Sequence, residues 1–279
     1  MMTKMPRPLI LMLAALCCCG SAQAVTNWSL TGSSSFTGVY NNTRSFTGTG
    51  DGGTVTASAW SNTKNSATSN SAYLESAYLA TYGGGLGVRN QDSINTSGSV
   101  GTGDSTEGAA PNHSMDNENR KDSILFDFGV GKSMQLNSLT VGWWSGDSDV
   151  FVLAYTGTGV PNFTSTNVAY NSLLTSGWSV VRSSGSANYS NAANGGVAGS
   201  STASTFKSLS INDLNISARF WLIGAVNTAI DSRGVDGNLD YVKLAAVGGQ
   251  YTNKVSEPGT LALTLGALAG GFWLRRRKV

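Results

Sequence analysis

The sequence is poor in cysteine, histidine and charge, and each shortage narrows what this 279-residue chain can be. Its only cysteines are Cys17, Cys18 and Cys19, so the chain from residue 25 onward has neither a disulfide nor a thiol nucleophile. A single histidine, and the absence of G-x-S-x-G and H-E-x-x-H motifs, argue against the common serine-hydrolase and zinc-protease sites. Charged residues make up 12% of the chain, against about 25% in typical domains.

The first 24 residues have the pattern of a secretory signal peptide. Two basic residues precede an apolar run over 9–19, which is too short to cross a bilayer comfortably. Ala22 and Ala24 then supply the small-x-small pattern that signal peptidase recognises, with cleavage expected before Val25. The alternative, a buried N-terminal helix, does not account for these features together. We predict that residues 1–24 are a signal peptide and that the chain is exported.

The end of the chain is typical of a membrane-inserted segment. Residues 259–274 carry no charge, and their number falls just below the roughly 17 residues that a helix needs to span the hydrocarbon core. The basic tail over 275–278, Arg275-Arg276-Arg277-Lys278, would hold the end of such a helix on the cytoplasmic side. The residues therefore predict a short C-terminal transmembrane helix.

Glu257-Pro258-Gly259, the apolar run and the arginine cluster together resemble the PEP-CTERM sorting signal of bacterial exosortase substrates. In that family the signal usually begins Pro-Glu-Pro, whereas Ser256 stands in the first position here. The resemblance implies a Gram-negative host that makes exopolysaccharide. It also implies a membrane-embedded exosortase that cleaves near Glu257 and Pro258 and passes the protein to the cell surface. A plain single-span anchor is the alternative.

Processing at both ends would change the charge of the protein. It would remove six of the 18 basic residues and none of the 16 acidic ones, provided that Glu257 is retained, so the net charge would move from +2 to −4. A mildly acidic protein with one histidine is not typical of nucleic-acid binding. We predict no nucleic-acid partner.

Most of the chain has the short alternating segments of β-structure. The segment SILFDFGV places Ile124, Phe126 and Phe128 on one face at period two. In 72–88 we expect a strand that ends at the glycine turn 83–85. Further strands are predicted over 54–60, 136–144, 149–156, 178–182, 218–228 and 240–247.

This pattern predicts an all-β chain folded as an antiparallel β-sandwich or a jelly-roll-like domain. The predicted organisation is a Gly/Ser/Thr/Asn-rich N-terminal segment over 25–71, the β-sandwich domain over 72–250 and the sorting signal over 251–279. Residues 73–247 also resemble a group of exosortase-dependent surface proteins. That resemblance is carried, in order, by LESAYLATYGGGLGVRN, HSMDN, ILFDFG, VGWWSGDSDVFVLAYTG, WLIGAVN and DGNLDYVKL. It implies a secreted β-rich domain of unknown activity.

Three acidic segments offer the oxygen ligands that Ca²⁺ prefers. They are Asp116 with Asn117, Asp147 with Asp149, and Asp236, Asn238 and Asp240 at alternate positions. The third begins like an EF-hand loop, but Tyr241 and Val247 stand where that loop needs glycine and glutamate, so an EF-hand is excluded. The alternative is that these side chains cap turns by bonding to the backbone. Ca²⁺ is the one cofactor that the pattern suggests.

Neighbouring tryptophans bear on sugar binding. Trp143 and Trp144 lie in a predicted strand, so they should point to opposite faces. One indole is then able to meet a sugar, unless both faces of the sheet are covered.

No spacing among the carboxylates, Glu75, Glu107 and Glu118 included, selects a pair for glycoside hydrolysis. We therefore predict that the chain is not an enzyme. The predicted function is a structural or adhesive role at the cell surface, in exopolysaccharide or biofilm. A calcium-dependent carbohydrate-binding module is the alternative, and a secreted glycoside hydrolase is third.

Overall fold

The computed structural model describes residues 25–32, 43–50, 52–64, 73–91, 110–164, 167–190 and 206–252. These residues form two antiparallel sheets in a sandwich-like arrangement, which confirms the predicted all-β class. The strands are β1 (Thr26–Ser29), β2 (Thr43–Thr47), β3 (Thr54–Lys64), β4 (Tyr73–Ser76), β5 (Tyr78–Tyr82), β6 (Gly85–Arg89), β7 (Met115–Asp116), β8 (Asp122–Asp127), β9 (Met134–Gly146), β10 (Val150–Tyr155), β11 (Trp178–Val180), β12 (Asn188–Tyr189), β13 (Lys207–Ser210), β14 (Phe220–Ala225) and β15 (Asp240–Tyr251). A 3₁₀ helix covers Tyr170–Thr175.

The first sheet has seven strands and is built around β15. Its path runs β13-β9-β15-β6-β5, with β1 and β7 also pairing with β15. The second sheet has eight strands in the order β11-β10-β14-β8-β3-β2, with β12 on β10 and β4 on β3. Two connections important for the candidate site, β9 to β10 and β14 to β15, cross between the sheets.

The main core lies between the two sheets. Ile124, Phe126 and Phe128 are fully buried there, which confirms that they share one face. They pack in one cluster with first-sheet residues such as Val141 and Leu244, which are also fully buried. Burial of large apolar side chains from both sheets is the main source of stability for such a sandwich.

A second apolar cluster covers the outer face of the second sheet. Phe151 and Leu153 of β10 pack there with Tyr170 and Leu173 of the 3₁₀ helix. Apolar residues on both faces of β10 are therefore buried. This explains why β10 and β14 appear in the sequence as continuous apolar runs rather than alternating ones. The 3₁₀ helix was not predicted.

The stretch over 72–88 crosses between the sheets, which explains its irregular pattern. β4 pairs with β3 in the second sheet, and after Ala77 the chain continues as β5 in the first sheet. β5 ends at Tyr82 before the glycine turn, as predicted, and β6 then returns beside it. The single expected strand is thus two strands separated by the crossing, because burial switches from one sheet to the other.

Residues 25–71 also contribute to the sandwich. β1 pairs with β15, and β3 lies between β2 and β8. The change of composition at residue 72 is therefore not a domain boundary. Small residues of β3 such as Ala57 and Ala59 are buried in the same core as the rest of the sandwich.

Both predicted processing segments lie largely outside the described residues. These include Ala22 and Ala24 at one end and Glu257, Pro258, Gly259, Arg275, Arg276 and Arg277 at the other. Val25 is described and is 59% exposed just before β1. Among the described residues, no helix has the length and apolar character needed to cross a membrane. β15 continues to Tyr251, so the first residue assigned to the sorting signal lies in a strand.

Candidate metal centre

The candidate centre lies where β9 of the first sheet leads into β10 of the second. Gly146 ends β9 with φ +68°, and a Cβ there would meet the carbonyl oxygen of Leu239 at 2.8 Å. The next N–H, of Asp147, donates to that carbonyl oxygen at 3.0 Å. This turn places Asp147 against the chain that enters β15.

Three of the predicted ligands converge at this crossing. Each of Asp147, Asp149 and Asp236 offers one carboxylate oxygen, and these atoms all lie within 4.8 Å of one another. Asp147 and Asp149 are each 1% exposed, whereas Asp236 is exposed. Because Ca²⁺ binds oxygen at about 2.4 Å, ligands on opposite sides of one ion lie about 4.8 Å apart. The spacing is therefore compatible with a shared cation.

The three carboxyl groups differ in proton affinity. Burial raises the pKa of Asp147 to about 6, and a hydrogen bond with Asp236 contributes to the rise. The N–H of Asn238, which donates to Asp236 at 2.9 Å, holds the pKa of Asp236 below its usual value. When one proton is bound by Asp147 and Asp236 together, it therefore resides on Asp147. A bound cation would replace that proton.

Neighbouring polar groups hold the trio in place. The side-chain amide of Asn238 donates to Asp236 Oδ2 at 2.8 Å and reaches Asp147 Oδ2 at 3.5 Å. The hydroxyl of Ser190 donates to Asp149 Oδ2 at 2.9 Å. Ser190 was not among the predicted residues, because it follows β12 in a serine-rich stretch with no distinguishing pattern.

Asp240 and Asn117 form a support beneath the trio. Asp240 Oδ2 accepts the amide of Asn117 at 2.7 Å, and the N–H of Asp240 donates to Asn117 Oδ1 at 2.9 Å. Asp240 Oδ1 accepts the N–H of Asp149 at 2.6 Å. Burial raises the pKa of Asp240 to about 8. These oxygens connect segments of the chain, which favours a framework role over a ligand role.

Asp116 is not one of the three carboxylates that converge, and one of its oxygens caps a turn. Its Oδ1 accepts the N–H of Glu118 at 3.0 Å. Asp147 Oδ1 likewise accepts the N–H of Ser148, at 2.7 Å. Asp116 and Asp147 thus bond to the backbone of their own turns, as the turn-capping alternative expects. The same structure also brings three carboxylates together.

The two tryptophans do point to opposite faces. Trp144 packs in the core between the sheets, and Trp143 lies half-buried on the outer face of the first sheet. The Nζ atom of Lys243 lies 4.0 Å from the ring centroid of Trp143 and 4.4 Å from that of Tyr82. Burial lowers the pKa of Lys243 to about 8. One indole face is thus occupied by a lysine of the same sheet.

The centre is a cluster of carboxylate oxygens whose spacing is compatible with a hard cation. Comparisons with protein families, curated proteins and solved structures find no match to this chain. The function is therefore argued from the residues and their geometry.

Proposed function

We propose that this chain is an exported bacterial surface or extracellular matrix protein that an exosortase sorts through its C-terminal tail. The observation that carries the proposal is the order Glu257-Pro258-Gly259, apolar run and arginine cluster at the chain's end. Residues 259–274 act as a short transmembrane helix before processing. The sandwich, with a jelly-roll-like course, then has a structural or adhesive role in exopolysaccharide or biofilm.

The intact mass of the protein recovered from the host surface tests this proposal. We expect a species that begins at Val25 and ends near Ser256 or Glu257 when an exosortase is present, and accumulation of the full tail when the exosortase is deleted. Replacing Glu257 and Pro258 by alanine should also cause the full tail to persist. Retention of Val279 in both strains would contradict sorting and leave a plain membrane anchor.

The second candidate function is calcium-dependent carbohydrate binding. Its calcium part is favoured by one observation: three carboxylates from two separate segments place oxygens within 4.8 Å of one another. Two of them are buried, and an ion would balance charge that burial makes costly. Asp147, Asp149 and Asp236 would hold the ion. Backbone carbonyls or water would complete the roughly six to eight oxygen ligands that Ca²⁺ takes.

Calorimetric titration with Ca²⁺ and Mg²⁺ tests the cation site. We expect Ca²⁺ to bind with one-to-one stoichiometry and Asp236→Asn to weaken it, because Asp236 is exposed and tolerates substitution. Asp213→Asn is the matched control, since Asp213 is also exposed and lies outside the trio. Equal Ca²⁺ binding by both variants would contradict the site. Dependence of saccharide binding on Ca²⁺ separates this function from a purely structural role.

A further inference from the structure

An open cleft lies at the edge of the sandwich, and its lining includes none of the three carboxylates of the candidate metal centre. It has a volume of about 470 Å³, with Asn137 and Ser210 of the first sheet on one side and Arg182 and Tyr189 on the other. Asp213 and Asn215 complete its rim. The strands on either side, β9 with β13 and β11 with β12, are the elements that approach at this edge.

The cation in this cleft is held rigidly. The guanidinium of Arg182 lies over the ring of Tyr189, 4.9 Å from its centroid, and donates through Nη1 to the carbonyl oxygen of Asn188 at 2.7 Å. Tyr189 is fixed in turn, because its hydroxyl accepts the N–H of Asn212 at 3.1 Å. Stacking and one backbone bond fix the plane of the guanidinium, which reduces the entropy lost when a ligand binds.

Arg182 also retains donors for a ligand. Within the described part of the chain it forms no ion pair, and the one hydrogen bond above uses one of its five N–H groups. The carboxylate of Asp213 on the rim is occupied by the backbone N–H of Ser183, at 2.8 Å, and by the hydroxyl of the same serine. A planar guanidinium with free parallel donors is suited to a carboxylate.

The remaining lining groups are suited to hydroxyl-rich ligands. The side chains of Asn137 and Ser210 make no hydrogen bond with other described residues, so both can serve a ligand. Asn215 Oδ1 accepts the amide of Gln135 at 2.9 Å, and the amide of Asn215 donates to the carbonyl oxygen of Asp213 at 3.5 Å, so Asn215 mainly shapes the rim. One cation beside neutral hydrogen-bonding groups, with the carboxylate of Asp213 already bonded to Ser183, is suited to a sugar that bears a single carboxylate.

We propose that this cleft binds the carboxylate of a uronic acid residue in an acidic polysaccharide, with Arg182 as the carboxylate-binding residue. The inference rests on the proposed matrix role and names the class of polysaccharide that the domain would meet. Asn137 and Ser210 bond the ring hydroxyls. Asp213 lowers the affinity for the anion, since its charge stands on the same rim.

Calorimetry on the full-length chain in detergent tests the proposal with two ligands in buffer containing EDTA. One is a tetrasaccharide with two glucuronate residues, and the other is the same tetrasaccharide with its carboxyl groups reduced to hydroxymethyl groups. We expect the carboxylated ligand to bind at least about tenfold more tightly, because a charge-assisted bidentate bond is lost on reduction. Equal affinities, or no binding of either ligand at millimolar concentration, would overturn the proposal.

Variants place the effect at Arg182. Arg182→Gln should weaken binding of the carboxylated ligand by about tenfold or more, and Lys207→Gln should leave it within about twofold, since Lys207 is an exposed cation of β13 outside the cleft. Asp213→Asn should strengthen binding of the carboxylated ligand alone. If Arg182→Gln does not fold, Asp213→Asn and Asn137→Leu decide the matter, and unchanged affinities in both would exclude the cleft. Sorting is measured separately by intact mass, so either proposal can fail without the other.

Discussion

The backbone N–H of Asp149 donates to the carboxyl oxygen Oδ1 of Asp240 at 2.6 Å. Asp149 leads into β10 of the second sheet and Asp240 begins β15 of the first, so this bond joins the two sheets at the crossing. Each residue is 1% exposed. A hydrogen bond in such a dry environment is costly to leave unmade.

Replacing Asp240 by alanine should destabilise the fold by about 2–4 kcal/mol, because the buried N–H of Asp149 loses its acceptor and the side-chain amide of Asn117 keeps only the carbonyl oxygen of Val226. Urea unfolding measures the change. Asp236→Ala is the control: it removes an exposed carboxylate of the same cluster and should cost less than about 1 kcal/mol without added cation. Equal losses in the two variants would show that Asp240 has no special supporting role.

Calcium should stabilise the folded chain through the trio of carboxylates. At a free Ca²⁺ concentration 100 times Kd, one site adds about 2.7 kcal/mol to the free energy of unfolding. Thermal unfolding with CaCl₂ or EDTA should show a higher Tm with calcium for the unaltered chain and a much smaller rise for Asp236→Asn. A rise of the same size in that variant would place the effect elsewhere.

Lys243 should make stability increase with pH above neutrality. Burial lowers its pKa to about 8 in the folded chain from the usual 10.5 of a lysine, so the unfolded state binds more protons between these values. The free energy of unfolding therefore rises as pH increases through about 8. We expect urea unfolding at pH 8.5 and pH 9.5, above the pKa of about 8 to which burial raises Asp240, to show this rise. Lys243→Met should reduce the rise, and the part that remains belongs to Lys121, whose pKa burial also lowers.

The same variant should be more stable than the unaltered chain at pH 7, by about 1–2 kcal/mol. The buried ammonium is costly there, and the contacts with Trp143 and Tyr82 offset part of that cost. An unchanged slope with pH in Lys243→Met would mean that another group titrates in this window. Measurement stops at pH 9.5 because burial raises the pKa of Tyr170 and Tyr189, whose ionisation acts in the opposite direction at higher pH.

Neighbouring tryptophans should differ widely in their contribution to stability. Trp144→Ala removes a core side chain that is 8% exposed and should cost about 3–5 kcal/mol. Trp143→Ala removes a half-buried ring from the outer face and should cost about 1 kcal/mol. Trp144→Phe should lie between them, since Trp144 Nε1 has no hydrogen-bond partner to lose among the described residues. Urea unfolding measures the free energy of unfolding of the three variants. Similar losses in Trp144→Ala and Trp143→Ala would contradict the placement of Trp144 in the core and Trp143 on the outer face.

The strands were predictable where one face is buried and the other is not. Ile124, Phe126 and Phe128 show this, because period two and burial coincide in β8. The pattern failed at Ala77, where the chain changes sheet, and in the segment of the 3₁₀ helix, whose apolar residues pack outside the main core. Local periodicity carries no information on which sheet a segment joins.

The acidic segments were predictable as candidates, but not their division of roles. The side chains of Asn117 and Asp240 bond each other across 123 positions of sequence, and no local pattern reveals such a contact. Alternation in 236–240 did not separate exposed Asp236 from buried Asp240, because the two positions have the same parity and only Asp240 lies in β15. Which oxygens remain for an ion depends on tertiary contacts that the sequence does not display.

The central position of β15 has a mechanical consequence for a protein held by its C-terminal end. The strand ends at Tyr251, the first residue of the predicted sorting segment, and it is hydrogen-bonded to β9 along almost its whole length. Because the bonds of an antiparallel pair run across the strands, tension along β15 loads many of them at once instead of opening them one by one. A force applied through that end would therefore load the domain in shear through β15, and the rate of unfolding under such a force would govern its lifetime.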